Sequence, residues 1–400
     1  MTVEKELMIN IPRLAARMTY IAPFEVMEIQ TRARALERAG HDVIHMEIGE
    51  PDFATPQPII DAAKQAFDSK PMNYTSARGM LSLRELIAGF YASQYGVVID
   101  PERIVITAGS SAALMLAFGV LLNARDEVLM ADPGYPCNRH FVRAMDGVPL
   151  TIAVGADTEY QLAAKHIAAN WTPRCVATLV ASPSNPTGTT VGRNELQMIH
   201  DATVHRGGTL IVDEIYQRLT YDVVPSTALA LQGADDIFVI NSFSKYFQMT
   251  GWRLGWMVVP TAYIRHVETL AQNLFISPSA PAQYAAHAAF TPETLAILEA
   301  RREELHRRRD FLLPALQQLG FKIPVTPQGA FYLYADSSAI AADSFALCRR
   351  ILEDAHVAIT PGKDFGSNAP EKHIRIAYTQ PIHRLQLAVN RLAATIRSVS

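Results

Sequence analysis

Cysteine is scarce in this chain: three residues (Cys137, Cys175, Cys348) in 400, too widely spaced for a disulfide framework or a zinc cluster. A reducing, cytoplasmic setting fits that usage. Charge is scarce as well, at 19% of residues, and nearly balanced, with 36 Lys+Arg against 39 Asp+Glu and a net charge of -3. Without a basic excess the chain offers no electrostatic footprint for nucleic acid. There is no internal repeat, low-complexity tract or Gly/Ser linker, and the opening "MTVEKELMINIPRLAARM" lacks an apolar h-region, so no signal peptide is expected. One long apolar run exists: Ile104–Ala124, "IVITAGSSAALMLAFGVLLNA", is uncharged over 21 residues, enough to span a bilayer. Its internal "TAGSS" divides it instead into a strand, a turn and a buried helix, and no membrane partner is expected.

What the chain does contain is 49% hydrophobic residues, a globular composition, and a length that suggests two or three domains. Between about residues 100 and 260, short β-branched runs ("RIVIT", "DEVLM", "CVATLV", "GTLIV", "DIFVI", "GWMVV") alternate with helical patterns. That alternation predicts βαβ units and a mostly parallel sheet buried on both faces. The segment "ETLAILEARREELHRRRDFLLPALQQL" (Glu293–Leu319) has helical spacing and no glycine, so one or two long helices are expected to leave the sheet. Beyond it, "YLYAD", "AIT" and "HIRIAY" predict a smaller α+β unit. The expected division is an arm over 1–48 packing with the small unit, a large domain over 49–295 and a small domain over 296–400.

Five of the apolar runs end in small, polar or aromatic residues, and open α/β sheets bind ligands beyond the carboxyl ends of their strands. Gly109, Ser110 and Ser111 stand between a strand and an apolar helix, where free amides and two hydroxyls make a phosphate seat or, more plainly, a helix cap. Asp213 follows "GTLIV" and, if buried, must meet a cation or a proton donor; Tyr216 comes three residues later. Asn185 sits in "SPSNPTG", whose prolines and glycine fix the backbone, either to aim an amide inward or simply to make an Asx-turn. In "NSFSKYFQMTGWRLGW" the only charges are Lys245 and Arg253. A desolvated lysine beside another cation becomes a neutral nucleophile, and an arginine can fork onto a phosphate; snorkelling is the alternative for the lysine. Arg375, mid-strand in "HIRIAY", either captures a carboxylate or faces solvent. An anion seat, an acid for a ring nitrogen, donors for a phenolic oxygen and an activated lysine together specify pyridoxal 5'-phosphate.

With those residues the chain resembles, over nearly its whole length, the class I/II (fold type I) pyridoxal-phosphate-dependent aminotransferases. "SPSNPTG", "DEIY" and "SFSKYFQMTGWRLGW" occur in the family's order and approximate spacing, with "IGEPDF" and "NYTSARGMLSLRE" before them and "PQGAFYLYAD" and "HIRIAY" after. The resemblance implies a three-layer, mostly parallel α/β large domain with a smaller α+β domain. It implies that Lys245 carries the cofactor as a Schiff base and shuttles the substrate proton. By the same token Asp213 pairs with the pyridinium nitrogen and Asn185 and Tyr216 bond the phenolic oxygen. Gly109, Ser110, Ser111, Ser242 and Arg253 hold the phosphate, and Tyr135 stacks on the ring. Tyr74 reaches the phosphate of a neighbouring subunit, implying a homodimer with shared sites. Arg375 clamps the substrate carboxylate with help from Gly49 and Asn185. Two departures stand out: Ser184 where the family often has Asn, and Tyr135 after Gly134 where other members carry Trp or another aromatic residue.

Three competing readings bear on this. Ser242-Phe-Ser-Lys245 matches the S-x-x-K nucleophile signature of serine β-lactamases, but neither S-D-N nor K-T-G accompanies it. A carbon–sulfur lyase or another non-transaminating fold type I enzyme would use the same lysine, aspartate and arginine. A regulatory protein with this fold behind a DNA-binding domain is not expected, because "IGEPDF" begins at residue 48. No second arginine can be assigned to a distal carboxylate, and a neutral or aromatic amino acid with 2-oxoglutarate or pyruvate is the expected substrate pair.

Overall fold

A computed structural model describes residues 13–397. Twelve strands occur among them: β1 (Ile44–His45), β2 (Ile104–Thr107), β3 (Glu127–Asp132), β4 (Val148–Ala153), β5 (Cys175–Ala181), β6 (Thr209–Asp213), β7 (Phe238–Ser242), β8 (Gly255–Val258), β9 (Tyr332–Asp336), β10 (Val357–Ala358), β11 (Thr360–Pro361) and β12 (His373–Ala377). Seven form one sheet in the order β2-β8-β7-β6-β5-β3-β4. All run the same way except β8, which is antiparallel to both β7 and β2.

The six apolar runs are all strands of this sheet. Their side chains are buried on both faces, so successive residues enter different cores. Ile211 packs with the helix Gly109–Leu121, while Leu210 and Val212 pack on the opposite face with Leu196 and Ile199. Each such side chain contributes roughly 1.5–3 kcal/mol on burial. The run Ile104–Ala124 divides as expected into β2 and the helix Gly109–Leu121, apolar all round because it is covered all round. Among the described residues no helix is long and apolar enough to cross a membrane.

One strand of the sheet, β4, is not among the expected runs. It lies on the sheet edge, half-exposed, and contains Pro149. An edge tolerates the missing amide, so proline there weakens the signal without forbidding the strand.

The long helix is single, Pro292–Gln318, with Thr291 as its cap (Thr294 amide to Thr291 Oγ1, 3.3 Å) and proline in the first turn. It leads to a second, antiparallel sheet, β11-β12-β9, against which the helix Ser344–Ala355 packs; the helix Ile382–Arg397 packs in turn on Ser344–Ala355, on Pro292–Gln318 and on β10. β1 pairs in parallel with β10, tying the residues before the first sheet to the chain after it. The helix Glu25–Arg38 packs beside Ser344–Ala355 and β11. Of the residues expected to form an N-terminal arm, 1–12 lie outside the described residues.

Candidate active site

The carboxyl ends of β2, β3, β5, β6 and β7 converge on a cavity of about 260 Å³. Gly49, Ser110, Tyr135, Asn185, Asp213, Tyr216, Lys245 and Arg375 all line it. These eight come from segments up to 326 positions apart in sequence, and the sheet topology is what joins them.

Lys245 follows β7 by three residues. Its Nζ donates to the Gly49 carbonyl and lies 5.9 and 5.8 Å from the Tyr216 and Phe331 ring centres. Burial lowers its pKa to about 8; Glu50 opposes the shift, and Arg375 and Arg253 add to it. A lysine that releases its proton near neutral pH is a usable nucleophile and base. The snorkelling alternative requires the ammonium to reach water, and here it points into the cavity.

Asp213 ends β6 and is only 4% exposed. The Ile215 amide donates to its Oδ1 (3.0 Å), and no cation among the described residues pairs with it. Burial raises its pKa to about 6, with the amide bond opposing. A carboxylate this buried and this poorly compensated is suited to a positively charged ring nitrogen.

Arg375 sits in the middle strand of the second sheet, 6% exposed, which excludes the solvent-facing alternative. Its Nη1 donates to Asn185 Oδ1 (2.9 Å) and its Nη2 to the Glu47 carbonyl (2.5 Å) and Thr360 Oγ1 (3.3 Å). Tyr332 and Phe365 stack on the guanidinium at 4.4 and 4.9 Å, and Nε has no partner. The Asn185 amide nitrogen makes no bond among the described residues, so it remains a free donor. Tyr216 and Tyr332 hydroxyls meet at 2.8 Å, and burial, then Tyr332, drives the Tyr216 pKa far up.

At the end of β2, Gly109 has φ +77°, and a Cβ there would come within 2.6 Å of Arg253 Nη2. Glycine is therefore what allows the guanidinium to lie against the helix N-terminus. Arg253 arrives there because β8 runs backwards: its amino end shares an edge with the other strands' carboxyl ends. The plain-cap alternative for Ser110 and Ser111 does not hold, since Ala108 occupies the cap position without a side-chain bond. Uncapped amides beside an arginine with no carboxylate partner make an anion seat.

Three expected residues stand differently. Ser111 is half-exposed and outside the cavity lining. Ser242, 1% exposed, turns inward: its hydroxyl is within reach of Ser244 Oγ (3.0 Å) and the Leu254 carbonyl (3.2 Å), and it accepts from the Ser244 amide. A hydroxyl so enclosed cannot be the nucleophile of an S-x-x-K enzyme. Tyr74 is 82% exposed, in an open groove with Met72 and the Ser277–Pro281 segment, and does not reach this cavity within one chain.

Sequence reasoning missed Tyr332, Phe365, Thr360, Glu47 and Asp364. Tyr332 had a usable signal, an aromatic at alternate positions with Tyr334 in "YLYAD". Glu47, Asp364 and Phe365 reach the cavity only through tertiary packing, and Thr360 stands outside its lining as a partner of Arg375. Gly49 also acquires a reason: a side chain there would collide with the Tyr332 hydroxyl.

A doubly covered, mostly parallel sheet with a buried amine, a buried acid, an anion seat and a buried arginine around one cavity is the equipment of a group-transfer enzyme. The family profile "Aminotransferase class I and II" matches residues 41–392. The valine–pyruvate aminotransferase of Mycobacterium tuberculosis is 37% identical over 94% of this chain and 97% of its own. The aspartate aminotransferase of Geobacillus stearothermophilus is 33% identical over 95% and 98%. A crystal structure of an aminotransferase from Mycobacterium tuberculosis superposes with a TM-score of 0.93 at 37% identity, covering 97% of this chain and 100% of that one. The chain belongs to the class I and II aminotransferases, with the fold type I architecture, and is an aminotransferase.

Proposed function

We propose that this aminotransferase moves an amino group between an L-amino acid and a 2-oxo acid with pyridoxal 5'-phosphate attached to Lys245. The observation that carries the reading is one cavity lined by both a lysine with its pKa lowered to about 8 and a buried, cation-free aspartate. The residues fit the cofactor: the amides after Gly109 and the Arg253 guanidinium accept a phosphate, Asp213 accepts a ring N–H, and the Asn185 amide and Tyr216 hydroxyl serve a phenolic oxygen. Tyr135 presents its ring to the same space. When bound, pyridoxal phosphate supplies an electron-withdrawing ring that accepts charge from the substrate α-carbon.

The chain's own residues do the rest. Arg375, held in place by the Asn185 side-chain oxygen that accepts from its Nη1, orients the substrate carboxylate, with the Gly49 backbone beside it. Lys245 Nζ, as an amine that exchanges its proton near neutral pH, would take the proton from the substrate α-carbon and hold it for return. The unionised Tyr216 hydroxyl keeps its proton to donate, held in line by Tyr332.

The exposed Tyr74, expected to serve a neighbour's phosphate, supports a homodimer with shared sites. The cysteine usage supports a cytoplasmic location. The divisions 1–48, 49–295 and 296–400 are the domain boundaries we propose; the helix Pro292–Gln318 crosses the last of them.

The test is the visible spectrum of purified protein beside Lys245→Ala. An absorption band that amino acids bleach and a 2-oxo acid restores, lost in the variant, is the expected result. Absence of any band after adding pyridoxal phosphate overturns the proposal; release of ammonia without an acceptor would make the enzyme a lyase.

A further inference from the structure

This inference rests on the function just proposed and adds its substrate class. The ionisable acids and bases lining the cavity are Glu47, Asp213 and Asp364 against Lys245 and Arg375, so negative groups outnumber positive ones. Both cations are already committed, Lys245 to the cofactor and Arg375 to the substrate α-carboxylate. No cation of this chain's described residues remains in the lining for a second carboxylate. Outside the lining, Arg139 donates to the Asp364 backbone carbonyl oxygen (2.7 Å), and Arg253 belongs to the anion seat.

Asp364 is the decisive group. It is 4% exposed, and its two carboxylate oxygens accept the Glu25 amide (2.7 Å) and the Val26 amide (2.9 Å) at the start of the helix Glu25–Arg38. The positive end of that helix, which would otherwise attract an anion, is thereby already satisfied. The same turn supplies the cavity's apolar wall: Phe24, Val26 and Met27, facing Ile48, Tyr135 and Ile215. Burial pushes the Asp364 carboxyl upward and the two amides hold it down. The relatives named above act, by their names, on both apolar and acidic amino acids, so likeness alone does not choose between them.

We infer that this cavity takes amino acids with uncharged, apolar side chains, and that Asp364 turns away any second carboxylate. Donor and acceptor occupy the cavity in turn, so the acceptor is likewise a monocarboxylic 2-oxo acid. A carboxylate placed within several ångströms of Asp364 in a partly desolvated site loses on the order of 100-fold in binding.

The experiment measures half-reaction kcat/KM on the holoenzyme, by absorbance, with valine, leucine, phenylalanine, aspartate and glutamate, and repeats it with pyruvate against 2-oxoglutarate on the aminated form. The neutral donors and pyruvate are expected to lead by at least about 100-fold. Asp364→Asn should raise the acidic-to-neutral ratio at least tenfold. Because that change also loosens the helix turn, Met27→Lys, which adds a cation at the cavity mouth with Asp364 intact, serves as an independent variant and should raise the same ratio. Aspartate or glutamate reacting as fast as leucine in the wild type, or a ratio unmoved in both variants, overturns the inference while leaving transamination standing. No donor bleaching the band at all would instead overturn the function on which it rests.

Discussion

Asp213→Asn should have effects of opposite sign with and without the cofactor. In the cofactor-free chain the Asp213 pKa is raised from 3.8 to about 6 by burial. The folded chain therefore holds a proton that the unfolded chain releases between those two values. Stability falls as pH rises through that window and stays at its lower level above it. A gap of roughly two pH units, at about 1.4 kcal/mol each, amounts to about 3 kcal/mol. Asparagine keeps the volume and the Oδ1 acceptor for the Ile215 amide, so little else changes. Urea denaturation of cofactor-free protein at pH 8 should find Asp213→Asn more stable than wild type by about 1–3 kcal/mol, and the two should converge near pH 4. With pyridoxal phosphate restored the order reverses: the variant lacks the negative charge that keeps the ring nitrogen protonated, and turnover should fall by about 100-fold or more. A cofactor-free variant less stable than wild type at pH 8, by as much as at pH 4, would refute the reasoning.

Three further outcomes are expected. Gly109→Ala places a Cβ against Arg253 at a left-handed φ; pyridoxal phosphate affinity, followed by fluorescence titration, should drop about tenfold, and an unchanged affinity would remove Gly109 from the anion seat. Arg375→Lys cannot reproduce the fork onto Asn185 and Glu47, so KM for the amino donor should rise by about 10- to 100-fold with a smaller change in kcat; equal loss in both would point to a different role. The rate at which cofactor-free protein takes up pyridoxal phosphate should increase with pH and inflect near 8, where the buried Lys245 amine loses its proton; an inflection at the ordinary lysine value of 10.5 would show that the amine is solvated.

The large sheet was readable because its strands are buried on both faces, and such strands announce themselves as unbroken β-branched runs. β4 was not, because an edge strand half in water and carrying Pro149 has no such run. At the site, Lys245, Asp213 and Asn185 were legible because Asp213 ends a strand, Lys245 comes three residues after one and Asn185 lies within a proline-fixed turn. Asp364 and Phe365 were not: they lie in the segment between β11 and β12, and nothing local says that this segment will meet residues 25 and 26. Tyr332 lies between these cases. Its strand was recognised, but its meeting with Tyr216 depends on the second sheet standing over the first.

The reversal of β8 has a consequence for how the enzyme can come apart. Ser242 and Gly255 are register partners, so Lys245 and Arg253 sit on the single loop that closes the β7–β8 pair. The amine and the arginine of the anion seat are thus not two anchors on separate elements; they are two points on one closed hairpin in the middle of a sheet. Local fluctuation cannot release one end of a ligand held by both, and hydrogen exchange at Val239–Ser242 should report the same opening as cofactor escape. Loss of the ligand then becomes a sheet-opening event, slow and all-or-none, rather than a sequence of small detachments.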